Sequence, residues 1–343
     1  MKDEFEDYLA KSFPKTWDSK SIKLFLKKNK YDVDFQALSF NLNEPIRDFI
    51  LRGGKRLRPT LLLLTLEAFG VKHEKYLKYA VLIELVHNGT LILDDIEDRG
   101  LLRRGLPTMH KKFGTDVAVN AGASLHVLPM SIVLSNKDLS NEKKIKLVNI
   151  YTEELSNVCF GQTLDIYWHN NPEYKVSVEK YLEMVRLKTG SLMRMSVRMA
   201  CILAEKDKKT EDDFKNFAES IGMAFQVIDD VLDLKSTNGK FGKSYGNDIS
   251  EGKISLPVVY ALEHLSPIDR DGLIQILKRH TRNKKYIRKA INLINSTGAI
   301  TNSVSFAKNL VSKSYKRLEK DYSNIYDLGK IKEISAYFVN RDY

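Results

Sequence analysis

The sequence predicts an all-α protein, and two segments carry that prediction. In "HEKYLKYAVLIELVHNGTLILDDIED", residues 73–98, apolar side chains recur at three- and four-residue steps over about seven turns. Its middle is apolar nearly all round, which marks a central helix. "DDFKNFAESIGMAFQVIDDVLDL", residues 212–234, reads the same way. Alternating polar and apolar runs typical of strands are scarce. Glycine and proline cluster at "RGGKRLRP", "RRGLP", "STNGKFGKSYGND" and "EGKISLP", which read as loops or helix ends.

No long Pro/Gly/Ser linker interrupts the 343 residues, and the one internal echo is Asp-Asp-x-x-Asp, which occurs twice. The expectation is a single all-helical domain over 1–343, with a helical N-terminal extension over 1–43. A hydrophobic content of 43% suits a globule with a sizeable core. Two cysteines, Cys159 and Cys201, argue against a disulfide framework and for a reducing interior. The acidic start "MKDEFEDYLA" is no signal peptide. The apolar stretch Leu61 to Leu66 is taken as the longest and is too short to cross a bilayer, so no transmembrane segment and a cytoplasmic location are expected. The net charge of +11 fits nucleic acid, anionic membranes or small anionic substrates. The runs "KLFLKKNK" and "LKRHTRNKKYIRKA" carry no motif, and there are no zinc-binding cysteine pairs or RNA-binding signatures, so no nucleic-acid partner is expected.

The chemistry lies in the repeated aspartates. Residues i and i+4 share a helix face, so Asp94 and Asp98 project side by side with Asp95 flanking them. Asp229 and Asp233 repeat the relation, with Asp230 beside them. Each cluster ends an apolar helix. Carboxylates this close raise one another's pKa unless a cation neutralises them. With no thiols or histidine pairs nearby, an oxygen-preferring ion fits. Magnesium binds through one or two carboxylates and takes substrate phosphate oxygens as further ligands. A single such cluster is more often a solvated helix end; two with identical spacing reverse those odds. The expectation is a phosphorylated substrate between two facing helices. Lys55, Arg56 and Arg58 before a helix, and Arg103 and Arg104 after the first cluster, then read as anion binders.

"GGKRLRP", "DDIED", "RRGLPTMH", "FGQTLD", "KTG", "FQVIDDVLD" and "GKSYGNDISEGK", in this order over about residues 45–260, resemble the motifs of the trans-isoprenyl diphosphate synthases, or polyprenyl synthetases. The resemblance implies an isoprenoid synthase fold with helices around a deep central cavity, usually as a homodimer. It implies head-to-tail condensation of an allylic diphosphate with isopentenyl diphosphate, releasing pyrophosphate. Carried over by position, Asp94 and Asp98 would bind two magnesium ions and Asp229 a third, about three per site, supported by Asp95, Asp230 and Asp233. Arg103 would contact the allylic diphosphate. Lys188, Thr189, Gln226, Lys243 and Lys253 would surround that diphosphate and the carbocation, with Lys188, Thr189, Gln226 and Lys253 as the catalytic set. Lys55, Arg58, His87 and Arg104 would hold isopentenyl diphosphate. His87 lies two turns before Asp94 on one helix. Gln162 and Asp165 stay outside the primary site, and the methionines of "GSLMRMSVRMA" are assigned to the core.

The chain departs from some members at Leu93, where several relatives carry histidine, and at "FVNRDY", which lacks a basic tail. A terpene cyclase would carry an Asn/Ser/Glu motif in place of the second aspartate cluster, and a regulatory subunit would have lost aspartates. Product length depends on the tunnel behind Asp94. Gly89 and Thr90 are too small to floor it, with Val86 and Ile83 one and two turns deeper and Leu125 or His126 opposite. The expected product is geranylgeranyl diphosphate, with twenty-five carbons or more as the alternative.

Overall fold

The computed structural model describes residues 1–25, 30–235 and 246–340, nearly all in or between helices. The chain divides into two compact units, residues 1–150 with 199–205, and residues 151–198 with 206–343.

The first unit carries α1 (Lys2–Ser12), α2 (Phe35–Leu38), α3 (Glu44–Ile50), α4 (Leu57–Ala68), α5 (Leu77–Glu97), α6 (Met109–Phe113), α7 (Thr115–Val127) and α8 (Ser131–Leu134). The apolar middle of α5 is buried as its pattern demands, from Tyr79 to Val86 without a break, and α5 packs on α4 and α7. The N-terminal extension is only partly helical. It is anchored by Phe5, Leu9 and Phe13, all at most 3% exposed. A feature absent from the sequence reading is a two-stranded antiparallel hairpin, Leu102–Arg103 (β1) with Leu106–Pro107 (β2). Its two turn residues, Arg104 and Gly105, both have positive φ, 55° and 75°. That is the turn geometry whose twist matches a tight hairpin.

Gly89 settles one question the sequence left open. A Cβ there would lie 2.9 Å from the Leu125 Cβ and 3.0 Å from the Gly122 carbonyl oxygen. The glycine is therefore the place where α5 and α7 touch backbone to backbone. Its small size serves close helix packing, one of the two explanations that the sequence left open. Leu125 is fully buried against it.

The second unit takes the C-terminal part of α9 (Asn141–Asn170), then α10 (Val178–Val185), most of α11 (Ser191–Leu203), α12 (Lys208–Lys235), α13 (Asn247–Glu251), α14 (Leu256–His264), α15 (Pro267–Lys278), α16 (Lys284–Ser296), α17 (Ala299–Tyr322) and α18 (Gly329–Val339). Side chains cap several helix starts: Ser177, Ser266 and Asn283 accept from the backbone N–H groups of Lys180, Asp269 and Lys285. The core runs along α12, α14, α16 and α17. Between α10 and α11 the chain makes a π-helical turn, Arg186–Gly190. Two glycines grip that turn. A Cβ on Gly161 would lie 2.3 Å from the Lys188 backbone nitrogen, and one on Gly222 would lie 3.0 Å from the Gly190 Cα.

Met193 and Met195 are fully buried, as the sequence reading held. The arginines beside them are buried too. Arg194 donates to Glu154 at 2.6 Å and to Glu219 at 2.7 Å, and Arg198 donates to Glu154 at 2.8 Å and to Glu211 at 2.9 Å. Breaking such a pair on one side costs about 3–5 kcal/mol. One further correction concerns apolar length. Among the described residues, Thr115–Leu134, not Leu61–Leu66, is the helical stretch long and apolar enough to cross a bilayer. It is interrupted by a 3-10 turn at Leu128–Met130, with Pro129 inside it.

Two glycine substitutions should have opposite signs. Gly272 lies inside α15 with nothing within 4 Å of an added Cβ, so Gly272→Ala should gain about 0.5–1 kcal/mol of helix preference. Gly89→Ala makes the same gain but overpacks the α5–α7 crossing, at about 1–3 kcal/mol, and should be net destabilising. Thermal midpoints of the two variants test this; equal shifts would mean that α5 and α7 do not meet so closely.

Candidate active site

In the first unit the aspartates at the end of α5 separate by role. Asp94 and Asp98 are half-buried, while Asp95 is 2% exposed. One residue along a helix is a rotation of about 100°, so Asp95 turns inward, away from its neighbour. There Arg103 on β1 donates to it through Nε at 2.9 Å and Nη2 at 2.5 Å, and Nη2 also lies 3.7 Å from Asp94. Arg103 thus neutralises the pair from the hairpin side.

The basic residues before α4 separate in the same way. Lys55 is exposed and Arg58 half-buried. Arg56, grouped with them as an anion binder in the sequence, is only 3% exposed and is committed elsewhere. It donates to Glu84 at 2.6 Å, to Glu6 at 2.8 Å and to the Ile50 carbonyl at 2.6 Å. Its backbone has φ 51°, a left-handed conformation that costs a non-glycine residue roughly 1–3 kcal/mol unless its surroundings fix it. The three acceptors do so, and they set the loop that carries Lys55 and Arg58.

Arg58 Nη1 lies 3.2 Å from His87 Nε2. Arginine only donates, so Nε2 accepts and the ring proton sits on Nδ1. Nδ1 is buried and has no hydrogen-bond partner among the described residues. Burial first, then the charges of Arg58, Arg104, Arg103 and Arg56, push the His87 pKa well below its usual value, so the ring is neutral. Among the described residues Arg104, on the hairpin turn, reaches only the Phe49 carbonyl, at 3.5 Å, and the Phe49 ring. Burial lowers its pKa to about 10, and the nearby charges of Arg56, Arg103 and Arg52 act the same way against Glu84. Among the described residues no carboxylate pairs with Arg104. Desolvated guanidinium and an orphaned N–H together form a pocket chemistry that an oxyanion would satisfy.

In the second unit the π-helical turn presents Lys188 and Thr189. Lys188 pairs with Asp165 at 2.5 Å, a residue the sequence reading left out. Thr189 Oγ1 donates to Gln226 Oε1 at 2.8 Å, and Gln226 Nε2 donates to Asp230 at 2.9 Å. Tyr181, unremarked in the sequence, donates its hydroxyl to Asp230 at 2.5 Å. Its partner Asp230 lies 49 residues away, so no local spacing marks it. Asp230 is buried, while Asp229 and Asp233 are half-buried. Burial and the charge of Asp248 push the Asp230 pKa up to about 7, against the hydrogen bonds from Tyr181 and Gln226. Asp233 accepts from the backbone N–H groups of Asn247, at 3.1 Å, and Asp248, at 3.0 Å, so it holds the start of α13. Lys253 pairs with Glu251 at 3.0 Å. Lys243 lies outside the described residues.

The donor chemistry fits a hard cation. Asp94, Asp98 and Asp229 are partly exposed oxygen donors, while Asp95, Asp230 and Asp233 are held by the protein. Among the described residues no three His, Cys, Asp or Glu side chains gather closely enough to hold an ion by themselves, so such an ion needs oxygens from its substrate.

The sequence profile of polyprenyl synthetases matches residues 40–294. This chain belongs to the polyprenyl synthetase family. It is a prenyltransferase, and its fold is the all-α isoprenoid synthase fold. A short chain isoprenyl diphosphate synthase of Methanocaldococcus jannaschii is 36% identical over 248 residues, 72% of this chain and 74% of its own. A geranylgeranyl pyrophosphate synthase of Geoglobus acetivorans is 33% identical over 300 residues, 87% of this chain and 90% of its own. The crystal structure of a geranylgeranyl pyrophosphate synthetase from Pyrococcus horikoshii superposes with a TM-score of 0.80 over 99% of both chains, at 28% identity.

Asp230 gives this polyprenyl synthetase a pH signature. Its folded pKa, about 7, stands above the ordinary 3.8. Below about pH 4 the carboxyl is protonated in both states. As pH rises toward 7 the unfolded chain releases a proton the folded chain keeps, so this group's contribution to stability is lost and then levels off. Asp230→Asn stays neutral throughout. In metal-free protein, its thermal midpoint should gain on wild type from about pH 4 to 7 and no further above that; a gap constant with pH would contradict the raised pKa.

Proposed function

We propose that the chain condenses an allylic diphosphate with isopentenyl diphosphate head to tail, yielding geranylgeranyl diphosphate and pyrophosphate. The observations that carry the diphosphate chemistry are the half-buried Arg104, which no carboxylate among the described residues pairs with, and the orphaned Nδ1–H of His87 beside Arg58. The relatives named geranylgeranyl synthase, at about a third identity across most of the chain, support the twenty-carbon product.

In this reading Lys55, Arg58, His87 and Arg104 hold the isopentenyl diphosphate. Arg103, Lys188, Lys243 and Lys253 hold the allylic diphosphate. The allylic C–O bond breaks, the isopentenyl double bond attacks the allylic carbon, and the proton lost from the adduct goes to the departing pyrophosphate. Magnesium, about three ions on Asp94, Asp98 and Asp229, supplies Lewis-acid stabilisation of the leaving group. Thr189 and Gln226 face the cation as fixed dipoles. The bonds from Thr189 to Gln226 and from Gln226 to Asp230 set their direction, and neither group is nucleophilic enough to trap the cation. Asp95, Asp230 and Asp233 keep the metal-binding aspartates in place.

A second copy of the chain is the proposed partner. Val119, Val127 and Leu134 are 45%, 70% and 54% exposed, and burying them supports a homodimer. The two free thiols support a reducing, cytoplasmic setting.

Incubation with labelled isopentenyl diphosphate, magnesium and allylic primers of increasing length should give a twenty-carbon product. Asp94→Ala and Asp229→Ala should each lower turnover by about 10²–10³-fold or more with the fold intact. A fifteen-carbon product, or near-wild-type turnover of both variants in saturating magnesium, would defeat the assignment.

A further inference from the structure

The run "LKRHTRNKKYIRKA", residues 277–290, has no part in the chemistry above. It belongs to a longer acid-free stretch. Residues 272–318 contain eleven Lys and Arg and no Asp or Glu, which is the whole net charge of +11. The rest of the chain balances. The positive excess of this protein is therefore segregated into one segment and does not come from its candidate active site.

Within that segment α16 concentrates it. The buried face of α16 is Ile287, Ala290, Ile291 and Ile294. The opposite side carries Lys284, Lys285, Arg288 and Lys289, two adjacent i, i+4 rows, all exposed. With Asn292 and Leu293 these four line a shallow groove of about 460 Å³. Among the described residues their side chains make no ion pair or hydrogen bond; Lys278 just before them, by contrast, pairs with Glu173 at 3.1 Å. Four neighbouring cations without a counter-charge repel one another, and an external anionic surface relieves that repulsion.

We propose that the basic groove of α16 docks this protein onto anionic phospholipid bilayers. Charge complementarity selects an anionic partner, and three observations favour a lipid surface among the candidates. Among the described residues that line the groove there is no aromatic side chain on which a nucleic-acid base could stack. Its lining includes the apolar, half-buried Leu293. A cationic helix surface that also presents an apolar side chain suits a bilayer interface. Finally, a twenty-carbon prenyl diphosphate is an amphiphile that partitions into lipid. That last point rests on the proposed function; the charge and the groove do not.

The test is co-sedimentation of the full chain with vesicles of phosphatidylcholine alone and of phosphatidylcholine with phosphatidylserine. Wild type should bind only the anionic vesicles, and less as salt rises. A variant with Lys284→Gln, Lys285→Gln, Arg288→Gln and Lys289→Gln should lose roughly five-fold per cation, on the order of several hundred-fold in all. A control with Lys308→Gln, Lys313→Gln, Lys316→Gln and Arg317→Gln removes the same charge from the same acid-free stretch and should bind nearly as wild type. Failure of wild type to bind anionic vesicles, equal losses in both variants, or α16-dependent binding of a DNA duplex but not of vesicles would each overturn the proposal. Prenyl transfer in detergent solution, measured alongside, should be unchanged in both variants. If wild type docks but transfers no prenyl group, the proposed function fails while the docking site stands.

Discussion

Like charges crowd together in both aspartate clusters and in the basic run before α4, and the fold must hold them there. Each cluster meets that demand by turning one member inward. Asp95 is taken by Arg103, Asp230 by Tyr181 and Gln226, and Arg56 by Glu84 and Glu6. Their neighbours, Asp94 and Asp98, Asp229, and Lys55 and Arg58, remain at least partly exposed. The Asp-Asp-x-x-Asp pattern is thus a division of labour imposed by helix geometry. The second aspartate sits about 100° around the helix from the first, which aims it at the core. Removing Arg103 from Asp95, or Glu84 from Arg56, would strand a buried charge, at about 3–5 kcal/mol.

Holding charges in place also needs stiff backbone behind them, and the glycines provide it. Gly161 and Gly222 let two helices press on the turn that carries Lys188 and Thr189, leaving no room even for a methyl group. A π-helical turn is rare and tends to occur at functional sites because it re-aims side chains that a regular helix would point elsewhere. Here the re-aimed pair ends up hydrogen-bonded to Asp165 and Gln226. Gly89 and Gly122 do the corresponding work at the α5–α7 crossing, and Gly89 is two residues from His87, whose neutral ring accepts from Arg58.

The helices and the acidic clusters were legible because they depend on period. The spacing of apolar residues in α5 and α12 survives any tertiary context, and repeated i, i+4 carboxylates are visible without coordinates. What escaped depends on partners distant in sequence. Nothing local distinguishes Arg56 from Arg58, yet Glu84 and Glu6 bury the first. Nothing in the sequence marks Arg194 and Arg198 as buried, because Glu154, to which both donate, lies 40 and 44 residues away. Tyr181 needed Asp230, which lies 49 residues away. Gly89 was ambiguous for the same reason, since space and close contact leave the same residue in the sequence, and only α7 decides between them.

Overall charge misleads about a site of this kind. A chain at +11 that handles diphosphates invites the inference that the excess serves its substrates. The clusters contradict it. Around the hairpin and α4, the arginines at 52, 56 and 103 are matched by Asp48, Glu84, Glu6 and Asp95; Lys188 is matched by Asp165 and Lys253 by Glu251. Local matching is what tight binding of a metal–diphosphate requires. An array of unmatched cations would repel the ions that the aspartates attract, and its field would fall off within a Debye length of about 8–10 Å in any case. In the proposed reading, a few desolvated donors such as Arg104 would supply specificity without a large net field. The unmatched charge can sit elsewhere on the surface, and in this chain it does, on α16, where Lys284, Lys285, Arg288 and Lys289 make no side-chain ion pair among the described residues.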